Sequence, residues 1–113
     1  MATHELPKSQ WESYFDRVSK HLKASQTEIE VVGMNLGDQV EGEWILFYGI
    51  SYDPKDDVVE YLLEGLDHLV RHPKQVLVDD DVEGLKSIEV VDRDGVRHIA
   101  KLKEVLKLPP PGE

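Results

Sequence analysis

The sequence predicts an α+β domain, with one N-terminal amphipathic helix packed on an antiparallel sheet of five or six strands. Three observations predict it. Residues 8 to 23 repeat apolar side chains at helical spacing, short apolar runs after residue 27 follow the two-residue period of strands, and turn residues separate those runs. The 113 residues and 12.9 kDa suit one core, because two would each be too small to hold together. Residues 1–113 therefore read as a single domain, with 1–6 and 109–113 as terminal extensions.

In the helix, Trp11, Tyr14, Phe15, Val18 and Leu22 share one face, while Glu12, Ser13, Asp16, Arg17, Ser19 and Lys20 take the other. Ser9 followed by Glu12 reads as a capping box, and Pro7 suits a helix start. Lys20, His21 and Lys23 complement the negative end of the helix dipole. The period then changes to two. Thr27, Ile29 and Val31 alternate with Glu28 and Glu30, giving a half-buried strand that stops at Gly33.

Gly37-Asp38 and Glu41-Gly42-Glu43 read as turn or loop, and Trp44–Tyr52 as a central strand covered on both faces. The turn residues Asp53–Asp57 hand the chain to a hairpin partner at Val58–Leu63. Leu66, Leu69 and Val70 have helical spacing between Gly65 and Pro73, which predicts a short helix ending at His72, or an irregular crossover. On that reading Leu66, Leu69 and Val70 are the buried anchors, with His68 and Arg71 nearer the surface. Strands resume at Gln75–Asp79, and Asp80–Gly84 reads as an acidic loop.

Ser87–Asp92 pairs with Val96–Leu102 across Arg93-Asp94-Gly95, a strong hairpin signal. A two-residue loop would divide the apolar residues between faces. A three-residue loop with a left-handed Gly95 gathers Ile88, Val90, Val96, Ala100 and Leu102 on one face, and brings His98 with them. We take the three-residue loop. The prolines 109 to 111 lack amide donors, so the tail should run extended. A helix followed by short strands is also the order of Sm-like and SH3-like small barrels, so the sheet is a candidate for curling.

Composition excludes several classes. Without cysteine there is no disulfide, thiolate nucleophile or thiolate metal site. The 23 acidic and 13 basic residues leave a net charge of −10, which repels nucleic acid and anionic membranes alike. The first residues lack the layout of a secretory signal and no apolar run reaches membrane-spanning length, so a cytoplasmic location is expected.

Chemistry is densest from Asp67 to Asp81. On a helical turn His68 and His72 would share a face, with Asp67 or one of Asp79 to Asp81 completing a metal site. That spacing arises easily by chance, so no metal is assigned, and His68, His72 and Asp67 are only its weak candidates. Asp79–Gly84 imitates the start of a calcium loop, but Val82 and a twelfth-position Val90 break the pattern. No serine lies in a nucleophile elbow, and no phosphate loop or dinucleotide fingerprint is present. No catalytic residue and no cofactor are assigned.

Asp67-His68-Leu69-x-x-His72-Pro73, then Val76-x-Val78-Asp79 and Ser87-Ile88-Glu89-Val90-Val91-Asp92-x-Asp94-Gly95, make the chain resemble a family of small uncharacterised bacterial proteins, a domain family of unknown function. Trp11, Phe15, Gly49–Lys55 and the Leu108-Pro109-Pro110 tail extend the likeness nearly end to end. The resemblance implies a bacterial cytoplasmic protein of about this size and supplies no activity or site residue. Two functions are carried forward: a non-catalytic protein-interaction or homodimeric module, and a small-molecule or metal-binding protein centred on His68, Arg71 and His72.

Overall fold

Among the described residues eight strands, not five or six, form one antiparallel sheet. The computed structural model describes residues 3–23, 25–33 and 37–108, so the proline tail lies outside the described residues. The strands are β1 (Thr3–Leu6), β2 (Ser25–Gly33), β3 (Gly37–Asp53), β4 (Val58–Leu63), β5 (Leu66–Arg71), β6 (Pro73–Asp81), β7 (Gly84–Asp92) and β8 (Arg97–Leu106). Helix α1 (Trp11–His21) follows a 3-10 turn at Lys8–Gln10.

The two additional strands are β1 and β5. Thr3–Leu6, expected as an extension, pairs with Leu77 and its neighbours on β6, because an edge needs only backbone and one inward residue, here Leu6. The expected short helix at 66 to 72 is strand β5, with Leu66, His68 and Val70 facing inward and Asp67, Leu69 and Arg71 outward. A hairpin across Glu64-Gly65 pairs it residue for residue with β4, and that ladder outweighs three apolar residues at helical spacing. Leu69 is therefore 44% exposed and Val70 1%, which reverses the expected role of Leu69.

Helix α1 buries Trp11, Phe15, Val18 and the following Leu22, as its spacing predicts. The expected capping box is absent, since Ser9 lies in the 3-10 turn and no side chain caps the helix. Trp11 donates its indole N–H to Leu6 O at 3.0 Å and meets Tyr52 edge-on at 5.1 Å. The Ser19 hydroxyl accepts from Ile50 N–H at 2.8 Å and donates to Ile50 O at 2.7 Å. Pairing of β3 with β2 stops at Phe47, so this hydroxyl replaces the missing strand neighbour.

β3 continues through Glu41-Gly42-Glu43, which were expected as a turn, and shifts register there with Trp44 at φ 51°. It is covered on one face, not two. Phe47, Ile50 and Tyr52 are buried while Tyr48 is 48% exposed, because helix and core occupy only the inner side. The β7–β8 hairpin has the expected three-residue loop: Asp92 N–H donates to Val96 O at 3.0 Å and Gly95 has φ 84°. Val90 stands opposite His98 and Ile88 opposite Ala100, and all four are buried.

Two meanders, β2-β3-β4-β5 and β6-β7-β8, are joined by the β8–β2 ladder. The corner between β5 and β6 is one residue, His72, with φ 54°, which carries the chain from one end of the sheet to its other half. Because β5 and β6 are covalent neighbours but not paired, the sheet has to curl until its halves face each other. The Tyr61 hydroxyl of β4 accordingly reaches His98 O at 3.1 Å and Ile88 O at 3.4 Å. No ladder joins β1 to β5, so the curled sheet is not a closed barrel.

Candidate functional site

The curl brings β5 against β8 and assembles a part-buried polar chain beside the apolar core. His68 projects inward from β5 because it shares a face with Leu66 and Val70. His98 projects inward from β8 because the three-residue turn sets it opposite Val90. His68 Nε2 lies 2.8 Å from His98 Nδ1, and His98 Nε2 lies 3.0 Å from Asp92 Oδ2. The Tyr61 ring packs on His68 with centroids 5.9 Å apart.

The Asp92 end of the chain is held by backbone. Asp92 Oδ1 accepts from Asp94 N–H at 2.9 Å and Val96 N–H at 3.0 Å, so one carboxylate shapes the turn and fixes the imidazole. Burial alone would raise the Asp92 pKa, but the hydrogen bonds from His98, Val96 and Asp94 hold it below the ordinary value. Burial lowers the His68 pKa, and the neighbouring His98 lowers it further, against an upward pull from Glu41. Burial also raises the Tyr61 pKa, keeping its phenol a donor.

The predicted cluster does not stay together. His68 is inside, Arg71 is on the outer face, and His72 is at the corner, with Nδ1 3.5 Å from Asp57 Oδ2. Asp67 points outward beside the inward His68, so the metal set of His68, His72 and Asp67 loses the shared helical face on which it depended. The acidic run 79 to 81 belongs to β6 and not to a loop. Asp80 binds His4 at 2.9 Å and Asp81 binds Lys86 at 2.9 Å. Among the described residues no three His, Asp or Glu side chains come together in a way that could hold a metal ion.

Arg71 and His72 do line one open cleft of about 460 Å³, together with Leu69, Asp92, Arg93 and His98. His98 is thus both the middle of the polar chain and part of the cleft wall. A second cleft of about 540 Å³ lies between α1 and the β1–β6 edge, where Arg17 Nε and the Tyr14 hydroxyl are buried with no hydrogen-bond partner among the described residues. There His4 binds Asp80, and the Arg17 guanidinium lies 5.3 Å from the Tyr14 ring.

Asp92, His98 and Tyr61 were not chosen from sequence as site residues. Two signals pointed toward them. The hairpin register buries His98, and alternation across Leu66, His68 and Val70 buries His68. What the sequence does not carry is that these two positions, 30 residues apart, face each other across the curl.

Over residues 2–111 the chain matches the family described as "Family of unknown function (DUF5335)". It belongs to that family. An "Uncharacterized protein" of Aquifex aeolicus (strain VF5) is 48% identical over 110 residues, covering 96% of this chain and 99% of the relative. No solved structure matches. Among the described residues no helix is long and apolar enough to cross a membrane.

Proposed function

We propose that this member of the family is a non-catalytic homodimeric module of a bacterial cytoplasm, joined through the open edge of β5. One observation carries the reading. Asp67, Leu69 and Arg71 alternate along the outer face of an unpaired edge strand, so the edge is complementary to itself. An antiparallel pairing with a second copy, its two-fold axis at Leu69, sets Asp67 opposite the other copy's arginine and Arg71 opposite its aspartate. The two Leu69 side chains then meet at the axis. Leu62 and Tyr48, both exposed on neighbouring strands, widen the apolar strip. An unpaired edge of six residues is a template for strand addition, and its charges Asp67 and Arg71 restrict which strand can add.

Opposite charges directly across an antiparallel pair contribute about 0.2–1 kcal/mol each, so charge decides which register wins more than how tightly it holds. The experiment is light scattering over a concentration series. The wild type should dimerise, Asp67→Arg and Arg71→Asp should each be monomeric, and the double exchange should recover the dimer. A wild type that stays monomeric at the highest concentration overturns the reading, and so does a double exchange no better than either single change. With a net charge of −10, neither nucleic acid nor an anionic membrane is a fitting partner.

A second reading, a small-molecule site centred on His68, Arg71 and His72, is favoured by one observation. Arg97 binds Glu89 and Arg17 stacks on Tyr14, whereas Arg71 and Arg93 border the same cleft with no carboxylate partner among the described residues. The two guanidiniums suit a small anion, in a lining that also holds His98, Asp94 and Asp92, the last already bonded to His98 and the turn amides. Titration with inorganic phosphate, followed by amide NMR, should shift residues 71, 72 and 93 together. Unmoved resonances remove this reading. Both readings use Arg71, so a phosphate that binds should also weaken the dimer.

A further inference from the structure

β5 has a ladder to β4 on one side and none on the other, so its inward residues fasten it to the opposite wall of the core. Leu66 and Val70 do this by packing, and His68 by its bond to His98. The geometry fixes where the protons are. Asp92 as a carboxylate only accepts, so His98 holds its proton on Nε2 and accepts at Nδ1, and His68 must donate from Nε2. One added proton leaves the chain intact, because His98 then donates from both nitrogens and His68 accepts by carrying its proton on Nδ1. A second proton puts hydrogens on both facing nitrogens and two cations side by side. The bond cannot then form.

We propose that the Asp92–His98–His68 chain is an acid-released clasp, which fixes β5 against β8 at neutral pH and frees the strand when both imidazoles are protonated. Its consequence for assembly rests on the dimer reading above, since the strand it fixes carries Asp67, Leu69 and Arg71. The groups facing the chain come from four strands and from the cleft that His98 lines, which also holds Arg71, His72, Arg93 and Asp94. β4 contributes the Tyr61 ring and its phenol, which donates to His98 O. β7 contributes Asp92, and Glu89 acts at longer range on Tyr61. β8 contributes His98, and β3 contributes Glu41, whose charge favours protonation of His68. Burial and His98 oppose Glu41 and prevail, so His68 takes its proton below the ordinary 6.5.

A histidine whose folded pKa is depressed binds protons more readily when unfolded. The hold on β5 is therefore complete above pH 6.5 and declines as pH falls from there toward the folded value. The test is amide hydrogen exchange, as protection factors corrected for intrinsic rates, on wild type and His68→Gln. The glutamine amide can donate to His98 Nδ1 but does not titrate.

In the wild type, protection of residues 66 to 71 should fall about tenfold or more between about pH 7.5 and about pH 5, while β7 and β8 keep theirs. In His68→Gln it should stay level. Constant protection in the wild type overturns the clasp, as does a fall of equal size in His68→Gln. Should that variant not fold, ring NMR of wild-type His68 must place its folded midpoint below 6.5 and at the pH where protection stops falling, and protection that begins to fall only below that midpoint overturns the proposal. Light scattering on the same samples keeps the two ideas apart: release of β5 with no change of mass leaves the clasp standing and removes the dimer.

Discussion

Truncating two neighbours on β5, His68 and Leu69, separates the strand from the helix that apolar spacing suggested. On a strand, His68→Ala takes away a ring packed on Tyr61 and the partner of His98 Nδ1. A lost neutral hydrogen bond costs about 0.5–1.5 kcal/mol, and a buried acceptor left alone raises that toward 1–3 kcal/mol. Adding the packing, we expect about 2–3 kcal/mol for His68→Ala. Leu69 is 44% exposed, so Leu69→Ala should cost under about 1 kcal/mol. On a helix the order would be the reverse. The assay is urea unfolding near pH 8, above the range in which His68 takes its proton, at protein concentrations low enough to exclude any dimer contribution from Leu69. Slopes should match the wild type, so that midpoints report stability. A Leu69→Ala loss equal to or larger than that of His68→Ala would refute the inward placement of His68 and everything built on it.

Four further outcomes are expected. Ser19→Ala orphans both the N–H and the carbonyl of Ile50, and should cost about 1–3 kcal/mol by denaturant unfolding, with Ser19→Thr milder than Ser19→Ala. His72 carries a left-handed φ of 54°, so His72→Gly should be close to neutral, whereas His72→Ile should lose about 1–2 kcal/mol in the same assay. At Gly84, with φ 135°, an added Cβ would lie 2.5 Å from Leu106 O, so Gly84→Ala should lower the melting temperature more than Gly95→Ala, where the space is open. The folded pKa of Asp92 is depressed, so its contribution is present above the unfolded value of 3.8 and disappears as pH falls through the folded one. A melting-temperature series should therefore show an acid loss below 3.8 that Asp92→Asn lacks, separate from the His68 decline that begins at 6.5.

By itself the sequence determined the local elements whose signals are internal to one segment. Trp11, Phe15, Val18 and Leu22 at helical spacing dictate one buried helix face, because no other conformation puts all four on one side. Thr27, Ile29 and Val31 do the same for β2. Asp92 to Val96 fixed a three-residue turn, since only that loop aligns Ile88 and Val90 with Ala100, and it brought His98 into the core. The absence of cysteine and the net charge of −10 limited the chemistry before any fold was considered.

Tertiary structure alone decided the rest. Residues 66 to 70 satisfy a helical and a strand period equally well, and the choice falls to β4, which offers a ladder that isolated propensity cannot foresee. Thr3–Leu6 is too short to declare itself and becomes a strand because β6 has an open side. The polar chain from Asp92 through His98 to His68 depends on a curl imposed at His72, a single corner residue whose φ no local pattern predicts. A contact between residues 30 positions apart is set by how two meanders fold over each other, and that information is distributed along the whole chain and absent from any one segment.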